Sequence, residues 1–304
     1  MSSRPSVAVI VNPAKFEGTL DRVERDVADA LRGAGGPVPT FLETTKEDPG
    51  HGQARRALDA GATLVCALGG DGTVRSVAEA VAGTGVPLGL LPGGTGNLLA
   101  RNLGVPYAEL RDAVEVAWTG ADRTIDVGWA HPEGGRREAF VVMAGLGFDA
   151  AVMDDAPEGL KETVGWGAYV LAGLRNLRGE PFDVRLDIDG RASRFEARTV
   201  VVGNCGTLQG GIRLIPEAQV DDGLLDAVVL TPDGAAGWAA TAADILRQKE
   251  ASASSTIDRA TGAHLLITVD PPQKVELDGD VLEPTGRLEL SVDAGALVVR
   301  VPAT

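Results

Sequence analysis

Between Leu64 and Leu103 the chain twice passes from a short apolar run, through a glycine-rich turn, into an amphipathic pattern. Leu64 to Leu68 is apolar and is closed by Gly69-Gly70-Asp71-Gly72-Thr73; Val74, Val77, Ala78 and Val81 follow at spacings of three and four. A short apolar run bounded by glycines reads as a strand buried on both faces, and the later spacing as one face of a helix. Val86 to Leu91, Pro92-Gly93-Gly94-Thr95-Gly96-Asn97 and Leu98 to Leu103 repeat the same order. Glycine lets backbone N–H groups come close to a ligand, and a helix N-terminus adds positive potential, so each turn suits phosphate. Two such turns so close in sequence suggest one nucleotide gripped from two sides. Neither turn fits G-x-G-x-x-G or G-x-x-x-x-G-K-[ST], which removes the Rossmann dinucleotide and Walker readings. Asp71 is the odd residue, because a carboxylate repels phosphate unless a metal ion stands between them.

Taken together, Gly69–Thr73 and Pro92–Asn97 closely resemble the diacylglycerol kinase catalytic family, which includes bacterial lipid kinases, ceramide kinases and sphingosine kinases. NAD kinases and phosphofructokinases belong to the wider superfamily. The resemblance implies an ATP- and Mg2+-dependent lipid kinase of phospholipid metabolism. It would transfer the γ-phosphoryl group to a lipid hydroxyl, diacylglycerol or a related lipid alcohol. On the positions of this chain, it implies that Gly69, Gly70, Gly72, Thr73, Gly93, Gly94 and Asn97 hold phosphates and that Asp71 holds catalytic magnesium. Asn12, Thr45 and Thr95 would fix the nucleotide. Two alternatives stand beside this reading. One is an NAD kinase, which shares Gly-Gly-Asp-Gly but not the second loop. The other is a non-catalytic nucleotide- or lipid-binding regulator.

Composition narrows the partners. The net charge of −15 makes nucleic acid a poor partner, since binding it needs a basic face. Aromatic residues are 4% of the chain, so the core must be built from Ala, Val and Leu. Cys66 and Cys205 have no C-x-x-C spacing, so neither a disulfide framework nor a thiolate zinc site is expected. Met1 to Pro5 lacks the apolar core of a signal peptide, and no run approaches the roughly 18 apolar residues of a membrane span. The expectation is a cytoplasmic protein that meets lipid only at the membrane surface, and a homodimer is compatible with it.

Read in order, strands near 7–11, 39–44, 63–68 and 86–91 alternate with helices, beginning with one from Lys15 to Arg32. Alternation of this kind predicts a mostly parallel, three-layer α/β domain over residues 1–123, to which residues 292–304 return. From Thr124 the pattern changes to strands and turns. Hairpins are predicted over 123–143 and over 182–202, the second with an Asp189-Gly190 turn. Further strands are predicted at 224–230, 264–269, 274–278 and 287–291, and a helical segment around 150–177. A largely antiparallel β-sandwich over 124–291 is the expectation, in the NAD kinase-like arrangement that the resemblance implies. Val164 to Leu174, with Trp166 and Tyr169, is the candidate lipid contact.

Two acidic segments stand in this second half. Glu217, Asp221, Asp222 and Asp226 crowd one turn, which reads either as an Asp-Gly hairpin or as a hard-cation site. The resemblance implies a structural magnesium on Asp222 and the main-chain oxygens of Gln219 and Leu224. The second segment runs from Glu276 to Asp280, where the family usually reads Asp-Gly-Glu. The resemblance implies that Asp280, one methylene shorter than the family's residue, is the general base, with Glu283 as the fallback.

Overall fold

The computed structural model describes residues 5–147, 180–207, 214–246 and 257–303. The helical segment expected around 150–177, including Trp166 and Tyr169, lies outside the described residues. The chain divides into two compact units, residues 1–127 with 293–304, and residues 128–292. Against the expected change of pattern near residue 124, the division falls inside strand β5, Ala121–Pro132.

The first unit is built on parallel strands β1 (Val7–Val11), β2 (Thr40–Glu43), β3 (Leu64–Gly69) and β4 (Leu88–Pro92). Their order is β4-β3-β1-β2, and the end of β14 (Asp280–Val301) joins β4 in parallel at Val299 and Leu88. Every residue of β1 and of β3 is buried, as expected of strands covered on both faces. Val7, Val9, Val11, Leu64, Cys66 and Leu68 pack on Val27 and Leu31 of α1 (Leu20–Gly33) and on Ala113, Val114 and Ala117 of α5 (Leu110–Thr119). The opposite face meets α2 (His51–Asp59) and α3 (Asp71–Val81). Each fully buried aliphatic side chain contributes about 1.5–3 kcal/mol. With few aromatic rings available, many small residues share that burial.

The helix expected from Lys15 begins later. Pro13–Lys15 forms one 3-10 turn, and Thr19 N–H then bonds Phe16 O at 2.9 Å in a second tight turn. Gly18, at φ +71°, sits in the left-handed region there, so α1 starts only at Leu20. On the far side of the unit, Asp126 is buried, and its carboxylate accepts Gly295 N–H at 2.7 Å. That bond ties β5 to β14.

The second unit orders its antiparallel strands β12 (Ile257–Gly262), β11 (Leu225–Leu230), β10 (Thr199–Gly203), β7 (Met143–Leu146), β13 (His264–Leu277) and β14. β8 (Phe182–Ile188) and β9 (Arg191–Ala197) form a hairpin on β13, and β6 (Glu138–Phe140) pairs with β5. Leu265 to Asp270 pair with β8, whereas Val275 to Leu277 pair with β7. The register shifts between Thr268 and Val275, so one continuous strand changes partner at a bulge. Two separate strands had been expected there. The alternating inward residues, among them Phe140, Leu186, Val202, Ile267, Leu277 and Leu290, make a single core. The unit is the largely antiparallel β domain expected from the sequence.

Other expectations also change. The single strand expected over 193–202 breaks at Arg198, where pairing passes from β8 to β7 and β11. Helix α6 (Gly234–Leu246) and strand β12 had not been expected. The strand expected over 138–143 is interrupted at Val141 and Val142 by Asp278. This carboxylate is 2% exposed and accepts the N–H groups of Val141, Val142 and Met143 at 2.8, 2.9 and 2.8 Å. From the other side, Asn204 Nδ2 donates to Val141 O at 3.1 Å, and Asn204 and Cys205 N–H donate to Val142 O. A segment outside any ladder thus has its backbone groups satisfied.

Buried N–H groups left unpaired cost about 1–3 kcal/mol each. Asp278→Ala should therefore destabilise the chain by on the order of 3 kcal/mol or more in urea unfolding, the sum of three such losses. Asp278→Asn should cost less, about 1–2 kcal/mol, because an amide oxygen at the Oδ1 position keeps two of the three bonds. Equal stability of all three proteins would mean that the clasp does not hold the segment.

Candidate active site

The loops that leave β2, β1, β3 and β4 all emerge at the carboxyl edge of the first unit's parallel sheet, where ligands of such sheets bind. Thr44 N–H bonds Val11 O at 2.9 Å and Asn12 N–H bonds Leu68 O at 3.0 Å, so the strand exits are stitched in order. Asn12 caps the 3-10 turn by accepting Ala14 N–H at 3.1 Å, and its Nδ2 lies 3.4 Å from Thr73 Oγ1. The role of Asn12 as a local cap and its place beside the glycine loop are therefore both present.

The two glycine loops touch. Gly93 N–H bonds Gly69 O at 2.9 Å. A Cβ on Gly94 would lie 2.7 Å from the Cα of Gly70, and a Cβ on Gly93 2.6 Å from the ring of Phe16. A Cβ on Gly69 would fall 2.7 Å from Thr73 Oγ1. No side chain fits between the loops, which is the physical reason for glycine at these positions. Asp71 opens α3 and spans the gap: its Oδ1 accepts Leu98 N–H at 2.6 Å, at the start of α4 (Leu98–Asn102). Gly96 lies directly against Oδ2. Beneath the carboxylate, the space lined by Val74, Leu90, Leu99 and Ala100 holds only about 10 Å³. Burial pushes the Asp71 carboxyl above its ordinary range, and the N–H groups of Leu98 and Asn97, its own N–H and the Arg101 charge partly offset this.

Asn97 adopts the left-handed conformation, φ 48°, and closes the second loop on itself. Its Oδ1 accepts Gly94 N–H at 3.1 Å and its Nδ2 donates to Gly94 O at 2.7 Å. Thr95 stands exposed between them. Thr45 is exposed on the neighbouring loop, with its Oγ1 accepting Asp48 N–H at 3.1 Å. Two cations sit at this edge that were not assigned a role from sequence. The Lys15 side chain passes Gly70, its Cε 3.6 Å from the position of a Cβ there. Arg101 donates to Gly96 O at 2.7 Å and stacks on Tyr107 at 4.0 Å. A Lys three residues past Asn12 was the available signal, and the 3-10 turn that ends at this exposed residue lets its side chain reach Gly70.

Both acidic segments belong to the second unit. Asp278 and Gly279, at φ 49° and 98°, form the two-residue turn between Leu277 and its partner Asp280. Asp278 faces inward on the clasp described above, whereas Asp280 is half-buried. Sequence reasoning passed over Glu276, whose carboxyl is pushed up to about 7 by burial first and then by the Asp278 charge, with Asp280 adding less. Its signal was an acid alternating with the inward-facing Val275 and Leu277. At the other acidic turn, Asp222 Oδ1 accepts Leu224 N–H at 3.0 Å. Burial raises the Asp226 carboxyl, which accepts Thr261 Oγ1 at 2.7 Å, and the charges of Asp222 and Glu217 raise it further. Among the described residues no three His, Cys, Asp or Glu side chains converge as a metal set. The expected set of one carboxylate with the carbonyls of Gln219 and Leu224 relies mainly on main-chain oxygens.

The strand-glycine-helix units bring two glycine loops edge to edge in the first unit, and the second unit is a separate, largely antiparallel β domain. Comparison with known proteins fixes the family. Residues 6–130 match the diacylglycerol kinase catalytic domain, and residues 141–301 match the YegS C-terminal NAD kinase beta sandwich-like domain. A Pseudomonas aeruginosa protein named "Probable lipid kinase YegS-like" is 36% identical over 86% of this chain and 84% of its own length. The structure of a diacylglycerol kinase from Bacillus anthracis str. Sterne superposes with a TM-score of 0.74 at 25% identity, covering 99% of this chain and 98% of that one. The fold is shared more distantly with an NAD kinase from Archaeoglobus fulgidus solved with ATP, at TM-score 0.51 and 11% identity, covering 97% and 93%. The chain spans 66% of the length of a longer Synechocystis relative, sll0036, to which it is 29% identical over 91% of its own length. The chain belongs to the diacylglycerol kinase and YegS-like lipid kinase family.

Glu276 makes stability depend on pH. Its folded carboxyl titrates near 7 and its unfolded one near 4.5, so between these values the folded chain binds more protons. Stability should fall as pH rises through that window, by up to about 3 kcal/mol at 1.36 kcal/mol per unit, less whatever solvent contact screens. Glu276→Gln should flatten this part of the pH–stability curve. Parallel curves for the two proteins from pH 4.5 to 7 would refute the assignment.

Proposed function

We propose that this chain transfers the γ-phosphoryl group of ATP to the hydroxyl of a membrane lipid, diacylglycerol or a related lipid alcohol. The observation that carries the reading is the contact of the two glycine loops, with the half-buried Asp71 carboxylate spanning them. Phosphoryl transfer requires positioning and charge neutralisation more than covalent help from the protein. Backbone N–H groups of Gly69–Thr73 and Gly93–Asn97 would hold the phosphates, and Lys15 and Arg101 add positive charge to an otherwise acidic chain. The donor set fits magnesium bound to a nucleotide, because Mg2+ usually takes one or two carboxylates and fills its shell with phosphate oxygens and water. Asp71 is the carboxylate that would hold it, and the ion would supply charge neutralisation between the β- and γ-phosphates. Asn12, Thr45 and Thr95 fix the nucleotide. The lipid oxygen attacks phosphorus, ADP leaves, and the hydroxyl proton passes to a carboxylate Oδ of Asp280. The structural magnesium on Asp222, Gln219 and Leu224 belongs to the same reading.

No helix among the described residues is long and apolar enough to cross a membrane, so the acceptor would be reached at the membrane surface from the cytoplasm. The assay is transfer from labelled ATP to a panel of diacylglycerol, ceramide, sphingosine, total lipid extract and NAD+. A lipid product without an NAD+ product is expected. NAD+ as the acceptor would instead select the NAD kinase reading, and nucleotide binding without any transfer would select a regulator.

Asp71→Asn should reduce turnover by at least about 10²-fold while far-ultraviolet circular dichroism stays unchanged, because several kcal/mol of metal-borne charge stabilisation depend on it. Turnover near that of the wild type would remove Asp71 from the chemistry.

Asp280→Asn should lower turnover by about 10²–10⁴-fold with ATP affinity nearly unmoved, since an amide cannot accept the proton. Asp280→Glu should keep partial activity. Should Asp280→Asn remain active while Glu283→Gln fails, Glu283 is the base.

A further inference from the structure

Gln53 has a use that burial alone does not explain. It lies in the first turns of α2, is 2% exposed, and points back toward the loop between β2 and α2. Its Nε2 donates to Glu43 O at 3.0 Å and to Asp48 O at 3.1 Å. Both N–H donors of one amide therefore close the loop that carries Thr45. The orientation is fixed by chemistry: a flipped amide would set its oxygen against two carbonyl oxygens. Its Oε1 is buried with no hydrogen-bond partner. An unmade acceptor in the interior opposes folding, so what Gln53 contributes is the pair of bonds that Nε2 makes to the loop.

The loop itself is drawn tight. Thr45 N–H bonds Asp48 O at 3.0 Å, and Asp48 N–H bonds Thr45 Oγ1 at 3.1 Å. Asp48 Oδ1 accepts Gly52 N–H at 3.0 Å, which satisfies the start of α2. At its near end the loop is pinned by Thr44 N–H on Val11 O, next to Asn12. At its far end Gly50, φ +147°, seats where a Cβ would lie 2.9 Å from Val77 Cγ2 and 3.5 Å from Thr73 O. The two anchors of the loop are thus neighbours of Asn12 and Thr73, which themselves lie within hydrogen-bond reach of each other. The Thr45 hydroxyl accepts from inside the loop, so its own proton is left to donate outward.

We propose that Gln53 is a positioning residue that holds the Thr45 hydroxyl in place for a nucleotide bound at the glycine loops. The proposal rests on the kinase reading above. Preorganising a donor lowers the ordering cost of binding, so the effect should fall on affinity rather than on the chemical step.

The test uses the full chain, with MgATP as the probe. Gln53→Met keeps length and volume and removes both donors. It should raise KM for ATP, and Kd by calorimetry, roughly 3- to 10-fold with kcat held within about 2-fold. Thr45→Ala should do the same, and the double variant should be no worse than Thr45→Ala alone, since Gln53 acts through Thr45. In the wild type, MgATP should slow amide exchange at Thr45 and Asp48, a measurement that needs no variant to fold. A lowered Tm with unchanged KM, multiplicative effects in the double variant, or exchange at these amides indifferent to MgATP would each overturn the proposal. A wild type that binds no MgATP would sink the kinase reading together with it. That outcome is distinct from a wild type that binds with Gln53→Met equally tight, which sinks only the role of Gln53.

Discussion

Two backbones meet at Gly70 and Gly94 with no side chain between them, and the rest of the carboxyl edge of the first unit's sheet follows from that approach. It brings the start of α3 next to the start of α4, so one short carboxylate, Asp71, can reach Leu98 N–H. It also forces the second loop to close on itself, which Asn97 does in the left-handed conformation with its side chain on Gly94. A Cβ at Gly93 would displace the Phe16 ring, and one at Gly94 would require one loop to move. The same shift would pull Asp71 away from its partner. Backbone donors, carboxylate and helix starts are therefore one mechanical unit, and its precision comes from strands β3 and β4, which pair in register up to Gly69 and Pro92.

The two glycine loops were legible in the sequence because each is defined locally, whereas their contact and the bond from Leu98 to Asp71 were not. Buried parallel strands are apolar on both faces, and the glycines needed at their exits follow within a few residues. Asn12, Thr73 and Asn97 could be read for the same reason. The function of Asp278 was not legible, because its partners Val141, Val142 and Met143 lie far away in the chain and offer only N–H groups, which no residue type reveals. Strand partner changes at Arg198 and within β13 were hidden likewise, since a strand that switches sheets keeps its alternation. The late start of α1 turned on Gly18, which periodicity alone treats as one more helical position.

Three carboxylates lie within five residues of the hairpin Glu276 to Asp280, and the backbone gives each a different task. Asp278 spends its charge on three buried N–H groups and is closed to other chemistry on those lone pairs. Glu276 is half-buried beside that charge and holds a proton to near neutrality. Asp280, paired across the ladder with Leu277, stays accessible. Identical functional groups are separated in this way by what surrounds them, and not by sequence type.

The same hairpin bears on the proposed base, Asp280, which is one methylene shorter than the glutamate that the resemblance leads one to expect. A base one methylene shorter must be carried closer by its backbone, and a free hairpin tip would blur that placement by its own motion. Here the turn is not free. Asp278 N–H bonds Met143 O at 3.0 Å, its carboxylate clasps the segment from Val141, and Gly279 takes the positive φ that the two-residue turn demands. Asp280 therefore projects from a Cα whose position is set by the core of the β-sandwich. The clasp carries the precision that side-chain length would otherwise supply. A loss of Asp278 should consequently displace Asp280, the proposed base, as well as weaken the fold.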